Sequence, residues 1–284
     1  MNDPRHGAPH GEPSLSGLSF AFLGAGTMGE AMIAGLLKQR LVAPEVIVAT
    51  ARRGERLAEL AARHGIRTTE DNRAAAESAD VVVFALKPQT LARVLPRLAG
   101  AMRPGGLALS IIAGATLRTF REGLGHAAVV RAIPNTPAQI DEGMTVWTAT
   151  PAVGERQLRI AAAILAALGR EHFVDDEKYL DMATALSGTG PAFCFLFLEA
   201  LIDAGVHLGF SRRVAEELVL QTMRGSALFA MQSGKHLAEL RNMVTSPGGT
   251  SAEALHALER GGLRTVLADG VWAAYRRTQE LGKG

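Results

Sequence analysis

The sequence predicts an α/β protein in two parts: a doubly wound parallel sheet over residues 18–174, then an all-helical domain over 175–284. Three observations lead there. Apolar runs without strict alternation are separated by helical stretches through the first half, the pattern of strands buried on both faces. A glycine-rich turn sits at the first strand-to-helix junction. After Asp175 the periodicity is helical almost to the C-terminus.

The elements follow in order. Leu18–Leu23 is a short apolar run that stops at Gly24, so it reads as the first strand. Thr27–Arg40 carries small and apolar residues on one face and reads as a helix. Glu45–Ala49 is the second strand. Arg53–His64 is an amphipathic helix with a natural stop at Gly65. Val81–Leu86 is a continuous apolar strand, and Thr90–Leu98 is helical up to Gly100. Gly106–Ile112 and Ala127–Ile133 are strands around the short helix Leu117–Leu124. Val153–Leu168 is an Ala-, Leu- and Ile-rich helix ended by Gly169. Beyond the boundary near Val174, helices are interrupted at Ser187–Pro191, Gly205–Ser211 and Thr245–Ser251, with no strand signal. The Pro-, Gly- and His-rich residues 1–17 are expected to be a disordered tail.

Composition excludes several classes. With 284 residues, 48% hydrophobic and 20% charged, the chain buries a sizeable core. A net charge of +2 gives no electrostatic reason to expect nucleic acid. One cysteine, Cys194, rules out a disulfide framework and a Cys-based zinc site, and its apolar surroundings suggest a core residue. The residues 1–17 lack the apolar run of a signal peptide. The most apolar stretch, Pro191–Ala204, reads as too short to span a bilayer and carries Glu199 and Asp203. A cytoplasmic protein without a membrane partner is expected. The very apolar helices of the second half either form their own core or bury surface against a second subunit.

The turn Gly24-Ala25-Gly26-Thr27-Met28-Gly29 is a G-x-G-x-x-G motif between a strand and a helix. Gly24 permits the tight turn, Gly26 a close backbone approach to a pyrophosphate, and Gly29 close packing of helix on sheet. The motif alone is weak, and the other reading is a ligand-free glycine turn. Its place at the first junction of an alternating domain favours a Rossmann-type dinucleotide site. An NAD site usually has an acid about 20 residues after the motif, on the ribose 2′-OH. Here the segment is Val48-Ala49-Thr50-Ala51-Arg52-Arg53, with no acid. Arg52 and Arg53 suit a 2′-phosphate, so NADPH is expected to be preferred over NADH.

Ligands of open α/β sheets lie outside the carboxyl ends of the strands. Lys87, in Leu86-Lys87-Pro88-Gln89, either faces the cofactor there or ends a turn before Pro88. The rigid turn around Asn135, between Pro134 and Pro137, either supports the nicotinamide or ends its strand. Thr245-Ser246-Pro247-Gly248-Gly249-Thr250-Ser251 precedes a helix and reads as an anion site for a phosphate or small carboxylate. The plainer reading is an N-cap by Thr250 or Ser251.

Four motifs in order, LKPQ, RAIPNTPA (Arg131–Ala138), LSGTGPA (Leu186–Ala192) and VTSPGGTS, resemble pyrroline-5-carboxylate reductase from about Phe20 to about Arg277. The resemblance implies a Rossmann domain followed by an all-helical C-terminal dimerisation domain, a homodimer, and in some relatives a ring of dimers. It implies NAD(P)H-dependent reduction of the C=N bond of 1-pyrroline-5-carboxylate to L-proline, the last step of proline biosynthesis. Gly24 to Gly29 would hold the pyrophosphate, and Thr50 and Arg52 would contact the adenosine ribose or its phosphate. Asn72 matches an asparagine near the cofactor. Ala85, Leu86, Lys87 and Pro88 match a segment lining the nicotinamide, and Ile111, Ile112 and Ala113 another cofactor-lining stretch. Glu177 matches an acid near the substrate, and Thr184 lies by the active site. Thr250 and Ser251 match the residues that bind the substrate carboxylate and ring nitrogen. Ser251 stands where the family usually has Thr, keeping the hydroxyl and losing a methyl. Met243 replaces an often polar residue, and Phe193 a common Tyr.

Other chemistries compete poorly. The eight histidines form no H-E-x-x-H or H-x-H pattern, so no metal site is expected. There is no G-x-S-x-G elbow and no G-x-x-x-x-G-K-[ST] loop. A β-hydroxyacid dehydrogenase relative would share the glycine loop without VTSPGGTS, and a dinucleotide sensor would not need the matched polar residues.

Overall fold

The computed structural model describes residues 15–282. Of the expected tail, residues 1–14 lie outside them. Leu15, within the expected tail, is buried in the core. The chain forms two compact units. One runs to Gly188 and takes back the C-terminal residues from Arg277; the other is Thr189–Arg276.

The first unit holds an eight-stranded sheet in the order β3-β2-β1-β4-β5-β6-β7-β8. Its strands are β1 (Phe20–Leu23), β2 (Ile47–Thr50), β3 (Arg67–Thr69), β4 (Val81–Phe84), β5 (Leu107–Ser110), β6 (Val129–Ile133), β7 (Gly143–Ala149) and β8 (Gly169–Phe173). The first six strands are parallel in the dinucleotide-binding order. Phe20 and Phe22 of β1 enter one core cluster, whereas Ala21 and Leu23 enter the other. Burial on both faces is why these strands read as unbroken apolar runs.

The helices of this unit are α1 (Thr27–Lys38), α2 (Gly54–His64), α3 (Asn72–Glu77), α4 (Pro88–Val94), α5 (Leu117–Leu124), α6 (Glu155–Ala166) and α7 (Lys178–Ala183). Several differ from expectation. β3 and α3 were not expected, because three residues and six are too few to show a period. Asp71 starts α3 by accepting from the N–H groups of Arg73 and Ala74. Pro44 turns the chain into a short 3₁₀ segment, so β2 begins at Ile47 rather than Glu45. β7 runs antiparallel to β6, because only a short 3₁₀ turn, Thr136–Ile140, joins them and no crossover helix intervenes. β8 pairs with β7 as a polar edge strand, where alternation is too weak to read from sequence.

Glu30 ties α1 to α2. Its carboxylate accepts from Arg56, from Arg63 (2.6 Å) and meets His64 Nε2 (3.0 Å). Burial opposes its charge, but these three neighbours outweigh burial and lower its pKa to about 2. A pKa below the unfolded value means stability that is present above about pH 4.5 and lost as pH falls towards about 2. Glu30→Gln is therefore expected to cost about 2 kcal/mol near pH 7, discounted because Arg63 is solvent-exposed. In thermal melts, the gap to the wild type should narrow below pH 4.5; a gap that stays constant would contradict the ion-pair account.

The second unit contains α8 (Gly190–His207), α9 (Arg212–Ser233), α10 (Leu237–Met243), α11 (Thr250–Arg260) and most of α12 (Leu263–Leu281). α8 packs on α9, where Gly205 lets Ala215 approach. Among its described residues only Ile202 and Ala215 are buried apolar side chains. Phe195, Leu196, Phe229, Met231, Val266 and Trp272 are all exposed, so within one chain these helices have no core of their own. Cys194 is exposed as well, contrary to the core placement expected for it. The interruption expected at Ser187–Pro191 falls where a π-turn, Thr184–Gly188, is followed by Thr189 as the N-cap of α8. Counted together, the run Lys178–His207 is 30 residues. Those 30 residues are long and apolar enough to cross a membrane by length and composition, which corrects the length estimate made from Pro191–Ala204.

Candidate active site

The glycine turn is built around Thr50. The Gly24 N–H donates to Thr50 Oγ1 (3.0 Å), and the Ala25 N–H donates to the Thr50 carbonyl (2.8 Å). Thr50 Oγ1 in turn donates to Asn72 Oδ1 (2.6 Å). Thr50 is buried, so it braces the turn from behind rather than facing a ribose; Asn72 at the start of α3 completes the brace. Gly24 has φ +84° and a Cβ there would lie 2.7 Å from Leu86 Cδ2. At Gly29 a Cβ would come 3.2 Å from Ala85 Cβ, which is the close packing of helix on strand expected of it.

Gly26 is different. It caps α1 through its backbone, with no side-chain cap, and a Cβ there would meet nothing closer than the Gly24 carbonyl oxygen at 4.0 Å. The protein itself gives no reason for glycine at this position. The open space lies at a helix start, with Gly26 and Thr27 exposed and Met28 half-buried. Free N–H groups and the helix dipole there fit a dinucleotide pyrophosphate.

Around this turn, Arg56 Nε donates to the Ala25 carbonyl (3.3 Å) while Glu30 holds its other end. The sequence reading missed both residues. Arg52 and Arg53 are exposed at the start of α2 and make no ion pair among the described residues. They present two unspent cations within a few residues of Thr50. Ala85 and Leu86 are half-buried at the end of β4, while Lys87 and Pro88 are exposed at the start of α4. Ile111 is half-buried and Ala113 exposed. Ile112, between them, has its side chain buried in the core.

At β6, Arg131 is 2% exposed. Its Nη1 donates to Glu177 Oε1 (2.7 Å) and its Nη2 to Asp181 Oδ1 (3.3 Å). The same Glu177 oxygen accepts from the Leu117 N–H at the start of α5 (2.8 Å). Asn135 Nδ2 donates to the Ser187 carbonyl (3.1 Å), and its Oδ1 accepts from the Met144 N–H (2.9 Å). Thr184 Oγ1 donates to the Leu180 carbonyl (2.7 Å), within its own helix. Glu177 and Thr184 thus have internal partners. A lone arginine in the apolar strand VVRAI was the available sign of a buried ion pair.

In the helical unit, Gly248 has φ +69° and the Gly249 N–H donates to the Ser246 carbonyl (3.0 Å). Gly249 caps α11 through its backbone without a side-chain cap. Thr250 and Ser251 are therefore not spent as N-caps, which removes the plainer reading of this turn. Their hydroxyls stand on the first turn of α11, Thr250 exposed and Ser251 half-buried.

Residues 177–281 match a family model described as pyrroline-5-carboxylate reductase dimerisation, and residues 19–114 match one described as NADP oxidoreductase, coenzyme F420-dependent. A pyrroline-5-carboxylate reductase of Synechocystis is 41% identical, covering 94% of this chain and 99% of the relative. One from Methanosarcina acetivorans is 38% identical over 92% of this chain and 97% of the relative. Among solved structures, a pyrroline-5-carboxylate reductase from Coxiella burnetii aligns with TM-score 0.87 and 36% identity over 94% of this chain and 99% of that one. The Plasmodium falciparum pyrroline carboxylate reductase with NADP bound aligns with TM-score 0.86 and 29% identity over 94% of this chain and 98% of that one.

Proposed function

The chain belongs to the pyrroline-5-carboxylate reductase family, and from that premise we propose that it reduces the C=N bond of 1-pyrroline-5-carboxylate to give L-proline, with NADPH preferred over NADH. The observation that carries the substrate side is the start of α11. Its helix is capped by Gly249, which leaves the N-terminal N–H groups and the Thr250 and Ser251 hydroxyls for a small carboxylate and a ring nitrogen. The cofactor side rests on Gly26, whose open Cβ direction suits a pyrophosphate.

Bound NADPH supplies the hydride that the imine carbon accepts. A protonated imine is already a good acceptor, so the residues have chiefly to hold and orient it. The α11 start holds the carboxylate. Ser251 Oγ hydrogen-bonds the ring nitrogen and favours its protonated form; an unactivated serine is a poor acid, so this is a positioning role. Gly24 to Gly29 hold the pyrophosphate, with Thr50 and Asn72 setting the turn. Ala85 to Pro88, with Ile111 and Ala113, line the nicotinamide.

Homodimers formed through the 177–281 segment are part of this reading, with further assembly into a ring of dimers. A second subunit gives the apolar surface of α8 its cover. The charges of Glu199 and Asp203 on that helix favour this over a membrane, and the reading places the protein in the cytoplasm.

Initial rates of nicotinamide oxidation with DL-pyrroline-5-carboxylate test the reading. Rapid turnover, faster with NADPH at low cofactor, is the expected result; no turnover in protein that binds NADPH would overturn it. Replacing both Arg52 and Arg53 by Ala should raise the KM for NADPH about 10- to 100-fold, since charge-assisted hydrogen bonds contribute about 1.5–3 kcal/mol. The KM for NADH should stay within about twofold, because NADH has no 2′-phosphate. A parallel rise for both would remove the 2′-phosphate role.

A further inference from the structure

We infer that Glu177 is a positioning residue of the dinucleotide side, acting with buried Arg131 through the start of α5. The inference rests on the reading that residues 111–113 line the nicotinamide.

A guanidinium at 2% exposure needs compensation by charge and hydrogen bonds. Arg131 receives it from Glu177 and Asp181, and its Nε is buried with no partner among the described residues. The shorter of its two ion pairs, to Glu177 at 2.7 Å, holds that carboxylate against the end of β6. Glu177 then spends the same oxygen, Oε1, on the Leu117 N–H. Leu117 is the first residue of α5, and the N–H of the third, Thr119, goes to Thr116 Oγ1 (3.1 Å). Two of the orphan N–H groups of α5 are thereby satisfied, one of them by a carboxylate that the helix dipole favours. The contrast with α1 is informative: its N-terminus has no side-chain cap, whereas that of α5 has two side-chain acceptors, Thr116 and Glu177.

The chain between β5 and α5 is residues 111–116. At its near end the Ile111 N–H donates to the Phe84 carbonyl (3.1 Å) and the Ile112 N–H to Ser110 Oγ (3.2 Å). At its far end the anchor is Glu177. Within the segment, Gly114 adopts φ +78°, and glycine has little intrinsic preference between this and other backbone paths. Removing the far anchor frees the segment that carries Ile111 and Ala113, without touching a ligand.

Two variants test this. Gln retains an oxygen that accepts from both Leu117 and Arg131; Ala does not. In the cofactor-free dimer, amide hydrogen exchange across 111–119 is expected to quicken about fivefold or more in Glu177→Ala, the effect of losing one helix cap, and to stay within about twofold in Glu177→Gln. NADPH affinity, read by fluorescence titration without imine, is expected to fall about five- to tenfold in Glu177→Ala and to recover in Glu177→Gln. The pH profile of kcat should keep its shape in both. Unchanged exchange in Glu177→Ala would overturn the inference. So would equal losses of kcat in the two variants with unchanged exchange and affinity, the pattern of a proton donor. Failure of the proposed activity would appear separately, as the same exchange and binding differences between variants and wild type with no turnover in the wild type.

Discussion

Ser251→Ala is expected to lower kcat/KM for the imine about 30- to 100-fold while leaving the NADPH dissociation constant within about twofold, because a hydrogen bond to a charged group contributes about 2–3 kcal/mol. Ser251 belongs to the first turn of α11 in the helical unit, whereas the glycine turn belongs to the other unit. Its hydroxyl is not needed to cap the helix, since Gly249 does that through its backbone. Removing it therefore costs little stability, and a melting temperature within about 2 °C of wild type is expected for a half-exposed site. Ser251→Thr should retain activity within a few-fold, because the hydroxyl remains and the added methyl narrows its rotamers. The measurements are steady-state kinetics and a fluorescence titration of NADPH. Loss of NADPH binding in Ser251→Ala would sink the assignment of this residue to the substrate.

Gly26→Val is expected to weaken NADPH binding more than about 100-fold, with no comparable loss of fold. The backbone there has φ −77° and ψ −165°, which any L-residue adopts. A Cβ would find no protein atom closer than 4.0 Å. The new side chain instead occupies the space in front of the α1 start, and a phosphate held away from the N–H groups loses several charge-assisted hydrogen bonds of about 1.5–3 kcal/mol each. Gly24→Ala supplies the control. There φ is +84° and the Cβ would fall 2.7 Å from Leu86 Cδ2 and 3.1 Å from Leu86 Cα, so stability as well as binding should drop. Thermal melts beside NADPH titrations separate the two. A Gly26→Val protein that binds NADPH normally would remove the pyrophosphate from this turn.

Both expectations were largely legible in the residues. The glycine turn needs only a strand, a helix start and three glycines, all within one short stretch. The TSPGGTS turn is equally local. The roles of individual side chains were less legible. Thr50 matched a residue facing the adenosine ribose, yet its hydroxyl is taken by the Gly24 N–H and Asn72. Ile112 belongs to the same short stretch as Ile111 and Ala113, and its side chain is packed in the core while theirs are not. Nothing near Glu177 in the chain shows that its Oε1 accepts from both Arg131 and the Leu117 N–H. Arg56 and Glu30 lie in two amphipathic helices where charge reads as a solvated face, and nothing local separates a bracing pair from an exposed one.

The sequence by itself determined the alternation of strands and helices, the dinucleotide turn, the cationic pair at Arg52 and Arg53, and the change to helices in the second half. Each is a matter of period or turn chemistry among near neighbours, where backbone sterics and burial act directly. The tertiary structure alone decided the reversal of β7, the brace from Thr50 to Gly24 and Asn72, and the joining of Arg131, Glu177 and Leu117. Arg131 and Leu117 lie 46 and 60 residues from Glu177 in the chain. Such partners are chosen by which strand ends the sheet order brings together. A buried charge must then take the acid that this order places beside it.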